Sequence, residues 1–342
     1  MKSELSTGDE FYFQWHITER CNKRCAHCYQ DEYLATDLPL ADLKVVLDRM
    51  EEALVKWGRR GSLSLTGGEP FIRQPELFAL MRRIDQMRSF VFYDVLTNGS
   101  LVSDDVAIEL KSLHRLRRVQ VSLEGSKPEL NDAIRGAGSF EETLRAIRNM
   151  KRHGLIVSVM TTLSRANYQD VFALVQLLES EGVDTFSMER LIPEGRGRTL
   201  GDRMLSPVEL KELYERVYDM AIKRKGIRIL MYRPLFALVA PEDPSVGALC
   251  SVGNNALTIM PDGTVYPCRR LPIPIGNILT DGLFRIWYDS EVLWKIRNPE
   301  NIRGKCQDCE LLTNCRGCRA MAYFCSGDYM AEDPQCWRCA VV

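Results

Sequence analysis

The sequence predicts an α/β fold built on a parallel sheet and followed by a small cysteine-rich segment. Three observations predict it. Short β-rich runs alternate with helical patterns through the first two-thirds of the chain. The chemically unusual residues fall immediately after those runs. The twelve cysteines form two blocks, three at 21–28 and nine at 250–339, with none between 29 and 249.

The first strand is expected at 11–18, "FYFQWHIT", with Phe11, Phe13 and Trp15 on one face and Tyr12 and Gln14 on the other. Further strands are expected at 62–66, 92–97, 118–123, 156–163 and 185–191, each short, β-branched or aromatic, and bounded by polar residues or glycine. Between the first two, Leu43, Val46, Leu47, Met50 and Leu54 recur at helical steps as one apolar face. Ser139 with Glu142, and Ser206 with Glu209, read as capping boxes. Gly154 and Gly182 are placed to end helices. Six strands each followed by a helix imply right-handed crossovers and a parallel sheet. Periodicity does not distinguish an open sheet from a barrel. In a barrel, chemistry belongs at the carboxyl ends of the strands. There lie the first cysteines after strand one, "TGGEP" after two, "TNG" after three and "LEG" after four.

The pattern changes near residue 226, which suggests one unit over 10–225 and a second over 226–342. "ALTIMPDGTVYPC" reads as a hairpin turning at Pro261-Asp262-Gly263. The cysteine-rich remainder has too little periodic apolar sequence for a core of its own. Small segments of that kind depend on bound metal.

Bulk composition bounds the function. A chain of 342 residues with 45% hydrophobic and 27% charged residues is an ordinary globular protein. A net charge of −1 gives no field for nucleic acid or an anionic membrane. The N-terminal "MKSELSTGDE" lacks a signal-peptide core and no apolar run approaches a bilayer span, so a cytoplasmic location is expected. In that compartment twelve cysteines point to metal rather than disulfides.

Cys21, Cys25 and Cys28 are three thiols without a fourth nearby. A zinc site would need a further ligand, and the closest nitrogen donors are His16 and His27. A [4Fe–4S] cluster fits better: three thiolates leave one iron open to a small molecule.

The spacing C-x3-C-x2-C, with His27 in the place of an aromatic residue, resembles the signature of the radical S-adenosylmethionine (radical SAM) superfamily. "TGGEP" (66–70), "LTNGS" (96–100), "VSLEGSKPELNDAIRG" (121–136) and "MERLIPEGRG" (188–197) resemble the family's cofactor-contacting segments. The resemblance implies a partial (β/α)6 TIM-like barrel with an open-iron [4Fe–4S] cluster chelated by S-adenosyl-L-methionine. Its reductive cleavage would give a 5′-deoxyadenosyl radical, with the electron supplied by a donor such as flavodoxin or ferredoxin. Gly67, Gly68, Glu69 and Pro70 would hold the amino group of S-adenosylmethionine. Asn98, Ser122, Glu124 and Arg135 would contact its ribose and carboxylate, and Leu191, with His27, its adenine side. In physical terms, the two glycines permit close backbone approach, and Glu69 suits an ammonium partner.

The C-terminal pattern, Cys250, Gly263, Cys268, then Cys306, Cys309, Cys315, Cys318 and later cysteines, resembles a SPASM domain, which binds two auxiliary [4Fe–4S] clusters. Here two residues separate Cys315 from Cys318, where the family usually has three. The resemblance assigns Cys250, Cys268 and Cys318 to one cluster and Cys306, Cys309, Cys315 and Cys336 to the other. Cys325 or Cys339 would complete the first. Paired zinc knuckles are the alternative, but the gap between the C-x2-C pairs is short for them.

SPASM enzymes mostly modify peptides or proteins, so thioether or carbon–carbon crosslinking of a peptide substrate is expected. Only about ten residues precede the first strand. Leader capture would then fall to a separate recognition protein or to the barrel. The alternative is a small-molecule or cofactor pathway, such as decarboxylation of a porphyrin propionate; a non-catalytic electron carrier is the remote third. No substrate-side catalytic residue is assigned; Tyr93, Asp94 and Glu189 are the candidates to face a cavity as a proton acceptor, with structural contacts as the simpler reading. His114 and His153 are expected in surface helices, and no hydrolytic triad is present.

Overall fold

The computed structural model describes residues 10–339 except 32, 34–36, 244 and 248–249, and of Cys339 it describes the backbone alone. Strands β1 (Glu10–His16), β2 (Arg60–Thr66), β3 (Phe90–Thr97), β4 (Leu116–Ser122), β5 (Val157–Leu163) and β6 (Thr185–Arg190) form the expected parallel series. They alternate with helices α1 (Leu40–Trp57), α2 (Gln74–Gln86), α3 (Asp104–Lys111), α4 (Pro128–Arg135), α5 (Ser139–Arg152), α6 (Val171–Ser180) and α7 (Pro207–Lys223). A short seventh parallel strand, β7 (Arg228–Leu230), adds beyond β6.

The expected hairpin forms from β8 (Ala256–Ile259) and β9 (Thr264–Tyr266). Its first strand pairs parallel with β1, Phe13 opposite Leu257 and Trp15 opposite Ile259. The cysteine-rich segment therefore begins as an extension of the barrel sheet. Strand β10 (Gly276–Asn277) completes the order β10-β9-β8-β1-β2-β3-β4-β5-β6-β7, an unclosed curl with β10 and β7 as edges. Helices α8 (Leu283–Asp289), α9 (Glu291–Arg297) and α10 (Arg319–Ser326) follow.

Strand alternation separates two environments. Phe11, Phe13 and Trp15 are fully buried on the face that meets the helices, and the Phe11 ring packs against Trp57 of α1 and Trp287 of α8. The predicted face of α1 is buried throughout. The opposite sheet face is polar. Gln14 lies beside Ser64, Ser64 beside Asp94, Asp94 beside Arg118, and Ser158 beside Thr185. Tyr12, Gln14, Gln120, Met160 and Glu189 on this face keep partial exposure. A parallel sheet normally buries both faces in apolar side chains; here the inner face lines a polar lumen.

The helix boundaries follow the punctuation read from the sequence with one exception. The Ser206–Glu209 capping box is present. Gly154 and Gly182, at φ +68° and +70°, terminate α5 and α6 in the left-handed conformation that glycine takes without strain. The Ser139–Glu142 box does not form. Gly138 is the N-cap of α5; Ser139 binds Asn131 and Asp132, and Glu142 pairs with Lys23. The nearby Asp132 carboxylate captures the serine, so a tertiary contact displaces the local cap. His153 ends α5 and bonds Asp104, and His114 lies in the exposed turn after α3 rather than in a helix.

Candidate functional site

The loop after β1 carries Cys21, Cys25 and Cys28 and is braced by its own hydrogen bonds, such as Cys28 N to Cys25 O (3.2 Å) and Arg24 Nη1 to Cys21 O (2.7 Å). Surrounding elements add to that bracing. Gly68 and Glu69 donate their backbone N–H groups to the carbonyls of Thr18 and Arg20, both at 2.8 Å. Ala26 N donates to Ile134 O of α4 (2.8 Å), and Gly197 N donates to Cys28 O (3.1 Å). Arg73, buried in the turn after "TGGEP", donates to Ile17 O (3.1 Å). Three thiols are thus held at the carboxyl end of the sheet by the segments after β2, β4 and β6.

The glycines of "TGGEP" serve this assembly in a way the sequence did not indicate. A Cβ on Gly67 would stand 2.6 Å from Thr18 O, and one on Gly68 would stand 2.4 Å from Arg20 O. The close approach they permit is therefore to the chain's own backbone. Gly195, at φ +58°, is equally constrained, because a Cβ there would meet the Tyr29 carbonyl carbon at 2.3 Å.

Glu69 is fully buried. Its carboxylate accepts from Asn98 N (2.7 Å), Thr97 Oγ1 (2.8 Å) and Phe71 N (3.2 Å). Burial outweighs these donors and pushes the carboxyl up to about 7. Among the described residues no cationic side chain pairs with it, so it is a buried acid suited to an added ammonium group. Pro70 opens the following 3-10 turn, at the N1 position that proline favours. Asn98 donates from Nδ2 to Asn22 Oδ1 (3.0 Å) and approaches Cys21 Sγ at 3.9 Å, tying the end of β3 to the cysteine loop.

Glu124 joins the other expected residues. Its Oε1 accepts from Arg135 Nη1 at 2.7 Å and lies 3.3 Å from His27 Nε2; its Oε2 accepts from Thr162 N at 2.8 Å. Burial raises its pKa, but His27 and Arg135 prevail and hold it below the ordinary carboxylate range. Arg135, expected to meet a cofactor carboxylate, is thus engaged by Glu124, which neutralises it inside the protein. Ser122 ends β4 beside Met160. Leu191 and His27 line one small pocket with Ala26, Ile134, Thr162 and Leu200.

The C-terminal cysteines lie near one another in two neighbourhoods. Burial pushes the Cys250 thiol up to about 12, and the nearby Cys318 and Cys268 thiols add to the effect. Burial likewise lifts Cys315 to about 12, with Cys336 and Cys306 among its neighbours. Cys306, Cys309, Cys315 and Cys336 together line a cavity of about 330 Å³. Cys325 is exposed and senses Cys318. Cys339 falls where side chains are not described. Burial also raises Cys21 to about 11. Thiols poised this way are protonated in the metal-free chain and release protons when metal binds. Among the described residues, no three His, Cys, Asp or Glu side chains converge as ligands of a single ion. His16 is buried beside Gln14, and His27 is turned to Glu124, so neither histidine is directed to the thiols as a zinc ligand.

Sequence reasoning missed the ion-paired arginines. Asp94 is held by Arg117 and Arg118, and Tyr93 points its hydroxyl at Asp85 (3.3 Å). Glu189 is clamped by Arg233 and by Arg270 (2.9 Å), which keep its carboxyl low against burial. A carboxylate held low in this way is a poor proton acceptor, so Glu189 fits a structural anion, and Asp94 is engaged in ion pairs. Arg269 meets Glu194 (3.3 Å) and stacks on the Tyr29 ring (4.2 Å). These partners lie far apart in the chain, and no local pattern signals them. Three consecutive residues at and just after the end of β6 reach three places: Glu189 the lumen arginines, Arg190 the Asp333 carboxylate (2.7 Å), and Leu191 the pocket beside His27.

Comparisons with known proteins agree with this architecture. Residues 15–178 match the family model of the Radical SAM superfamily, and residues 250–319 match that of an iron-sulfur cluster-binding domain, SPASM. The chain is 29% identical to an AdoMet-dependent heme synthase of Methanosarcina barkeri, covering 94% of this chain and 95% of that protein. It is 31% identical to the mycofactocin maturase MftC of Mycolicibacterium smegmatis, covering 94% and 81%. The fold is similar to that of Streptococcus suis SuiB in a crystal structure with its precursor peptide SuiA, at a TM-score of 0.75 and 18% identity, covering 96% of this chain and 76% of that one.

Proposed function

Because the chain belongs to the radical SAM superfamily and carries a SPASM domain, we propose that it is an enzyme that oxidatively modifies a peptide or protein substrate held in the barrel lumen. The observation that carries this reading is the placement of Cys21, Cys25 and Cys28 at the carboxyl end of a sheet whose inner face is polar and partly open. Those thiols would hold a [4Fe–4S] cluster, with Glu69 the partner of the amino group of S-adenosylmethionine. Bound together, cluster and cofactor supply reductive S–C5′ cleavage and a primary carbon radical able to take hydrogen from an unactivated C–H bond. The chain's own part is to fix geometry and exclude water. The end of β3 positions the cysteine loop through Asn98, while Glu124 neutralises Arg135 beside Cys25. The two C-terminal thiol groups suit auxiliary clusters that receive the electron left by substrate oxidation. An external donor such as flavodoxin or ferredoxin would begin the cycle.

A small-molecule substrate is the second reading. The similarity to the M. barkeri heme synthase over nearly the whole of both chains favours it, and so does the cationic character of the lumen.

The test is anaerobic reconstitution with iron and sulfide, reduction, and addition of S-adenosylmethionine. About twelve irons per chain and release of 5′-deoxyadenosine are expected, with loss of about four irons and of all product when Cys21, Cys25 and Cys28 are replaced by alanine. Iron binding without 5′-deoxyadenosine from the unaltered chain would leave an electron carrier instead.

A further inference from the structure

Two carboxylates of the inner face, Asp94 and Glu189, each meet two arginines, so positive charge exceeds negative at both places. Glu189 is the single carboxylate paired with both Arg233 and Arg270. Arg270 also faces the Cys250, Cys268 and Cys318 thiols on the auxiliary side. Arg233 is placed differently. Its guanidinium stacks on Tyr232 (4.5 Å to the ring centre) and lies near Tyr12, on the inner face of β1. Its Nε has no hydrogen-bond partner among the described residues. Although enclosed by protein, the side chain keeps 32% of its surface open. A guanidinium offers five N–H donors in a planar fork matched to a carboxylate, and Glu189 and Tyr232 satisfy only part of that set.

We propose that Arg233, with Tyr232 and Arg270 beside it, binds a carboxylate of the substrate in the barrel lumen. The group such a fork would receive is anionic and planar. Two sources present it: the C-terminus of a peptide, and the carboxylate arm of a small molecule such as a porphyrin. Either way the substrate is anchored by a group that does not itself react with the guanidinium, and its C–H bonds are held against the inner face. The assignment rests on the lumen being the substrate chamber.

The experiment uses the full chain, reconstituted with iron and sulfide in the presence of S-adenosylmethionine. Two probe pairs are titrated by fluorescence. One is a porphyrin tetracarboxylate and its tetraamide. The other is a dansylated octapeptide pool free of Asp and Glu, with free or amidated C-termini. In at least one pair the acid should bind tenfold or more tighter than the amide, and the pair that does so identifies the source. Arg233→Gln should erase that preference without changing affinity for the amide, and Arg233→Lys should retain part of it. The proposal is overturned if the unaltered protein shows no acid preference in either pair, or if Arg233→Gln leaves the preference intact. Should that variant fail to fold, Arg233→Lys decides, and an unchanged preference again overturns the proposal. 5′-Deoxyadenosine release, measured in the same preparations, separates the two readings. Release without acid preference removes only the carboxylate site, whereas no release from the unaltered chain removes the radical reading itself.

Discussion

Arg190 and Asp333, 143 positions apart, form a buried two-pronged ion pair in which Nη1 donates to Oδ1 at 2.9 Å and Nη2 to Oδ2 at 2.7 Å. The same carboxylate accepts from Cys318 N at 2.8 Å, and the Asp333 backbone faces the Cys306 thiol. The pair thus fastens the last long barrel strand to a point between the two C-terminal thiol groups.

Breaking it should be costly. Asp333→Asn leaves the Arg190 charge buried without its counterion, and a loss of about 3–5 kcal/mol is expected in denaturant unfolding of the metal-loaded chain. Replacing both partners with Met and Leu should recover part of that loss. Additive effects in the double-mutant cycle would show that the two side chains are not coupled.

Glu69 gives the metal-free chain a defined pH response. Its folded value of about 7 lies above the ordinary 4.5, because burial favours the neutral acid. Its contribution to stability is therefore complete below about 4.5 and is lost as pH rises through 7, a change on the order of 3 kcal/mol. Glu69→Gln should remove this part of the slope between pH 4.5 and 7, measured by urea unfolding against the unaltered chain. Glu194, also raised to about 7 by burial against the opposing Arg269, keeps its own contribution in both proteins. A bound ammonium group reverses the preference. Binding of S-adenosylmethionine near pH 7 should accordingly release a proton, visible as a buffer-dependent heat in calorimetry and absent in Glu69→Gln.

Gly68→Ala and Gly195→Ala each place a methyl group against backbone, at 2.4 and 2.3 Å. Backbone cannot yield as a flexible side-chain tip does, so each should cost about 1–3 kcal/mol and shift the loop bearing Cys21, Cys25 and Cys28. Reconstituted protein should lose most 5′-deoxyadenosine formation while keeping the iron held by the C-terminal thiols. Unchanged product formation would mean that the loop tolerates displacement.

Cys336→Ser should remove one C-terminal cluster signal and leave the other, because Cys336 shares its cavity with Cys306, Cys309 and Cys315 and not with Cys250 or Cys268. Cys325→Ser should act on the opposite group through its neighbour Cys318. Mössbauer spectra of iron-57 protein distinguish the two, and loss of the same signal in both variants would contradict the division.

Much of this was legible in the chain because it is local. Strand alternation in "FYFQW", the apolar stripe of α1 and the glycine stops at 154 and 182 depend on neighbours a few residues away, and each formed as read. The assignment of the C-terminal cysteines to two clusters came from the family resemblance, not from spacing alone. The remainder depends on partners distant in sequence. Asp132 takes Ser139 from its capping box, Glu124 takes Arg135, and the lumen arginines find Asp94 and Glu189. The hairpin's parallel pairing with β1 is equally nonlocal, because an apolar run carries no mark of the strand it will join.

The two ends of the sheet have a consequence for how copies of this chain behave in crowded solution. An unclosed sheet exposes unpaired backbone at both margins, a template on which another molecule can add strands. Here one margin is the three-residue β7 and the other the two-residue β10. Neither is long enough to seed intermolecular pairing. The barrel can therefore leave its lumen open to a bulky guest without the aggregation that a long bare margin would invite.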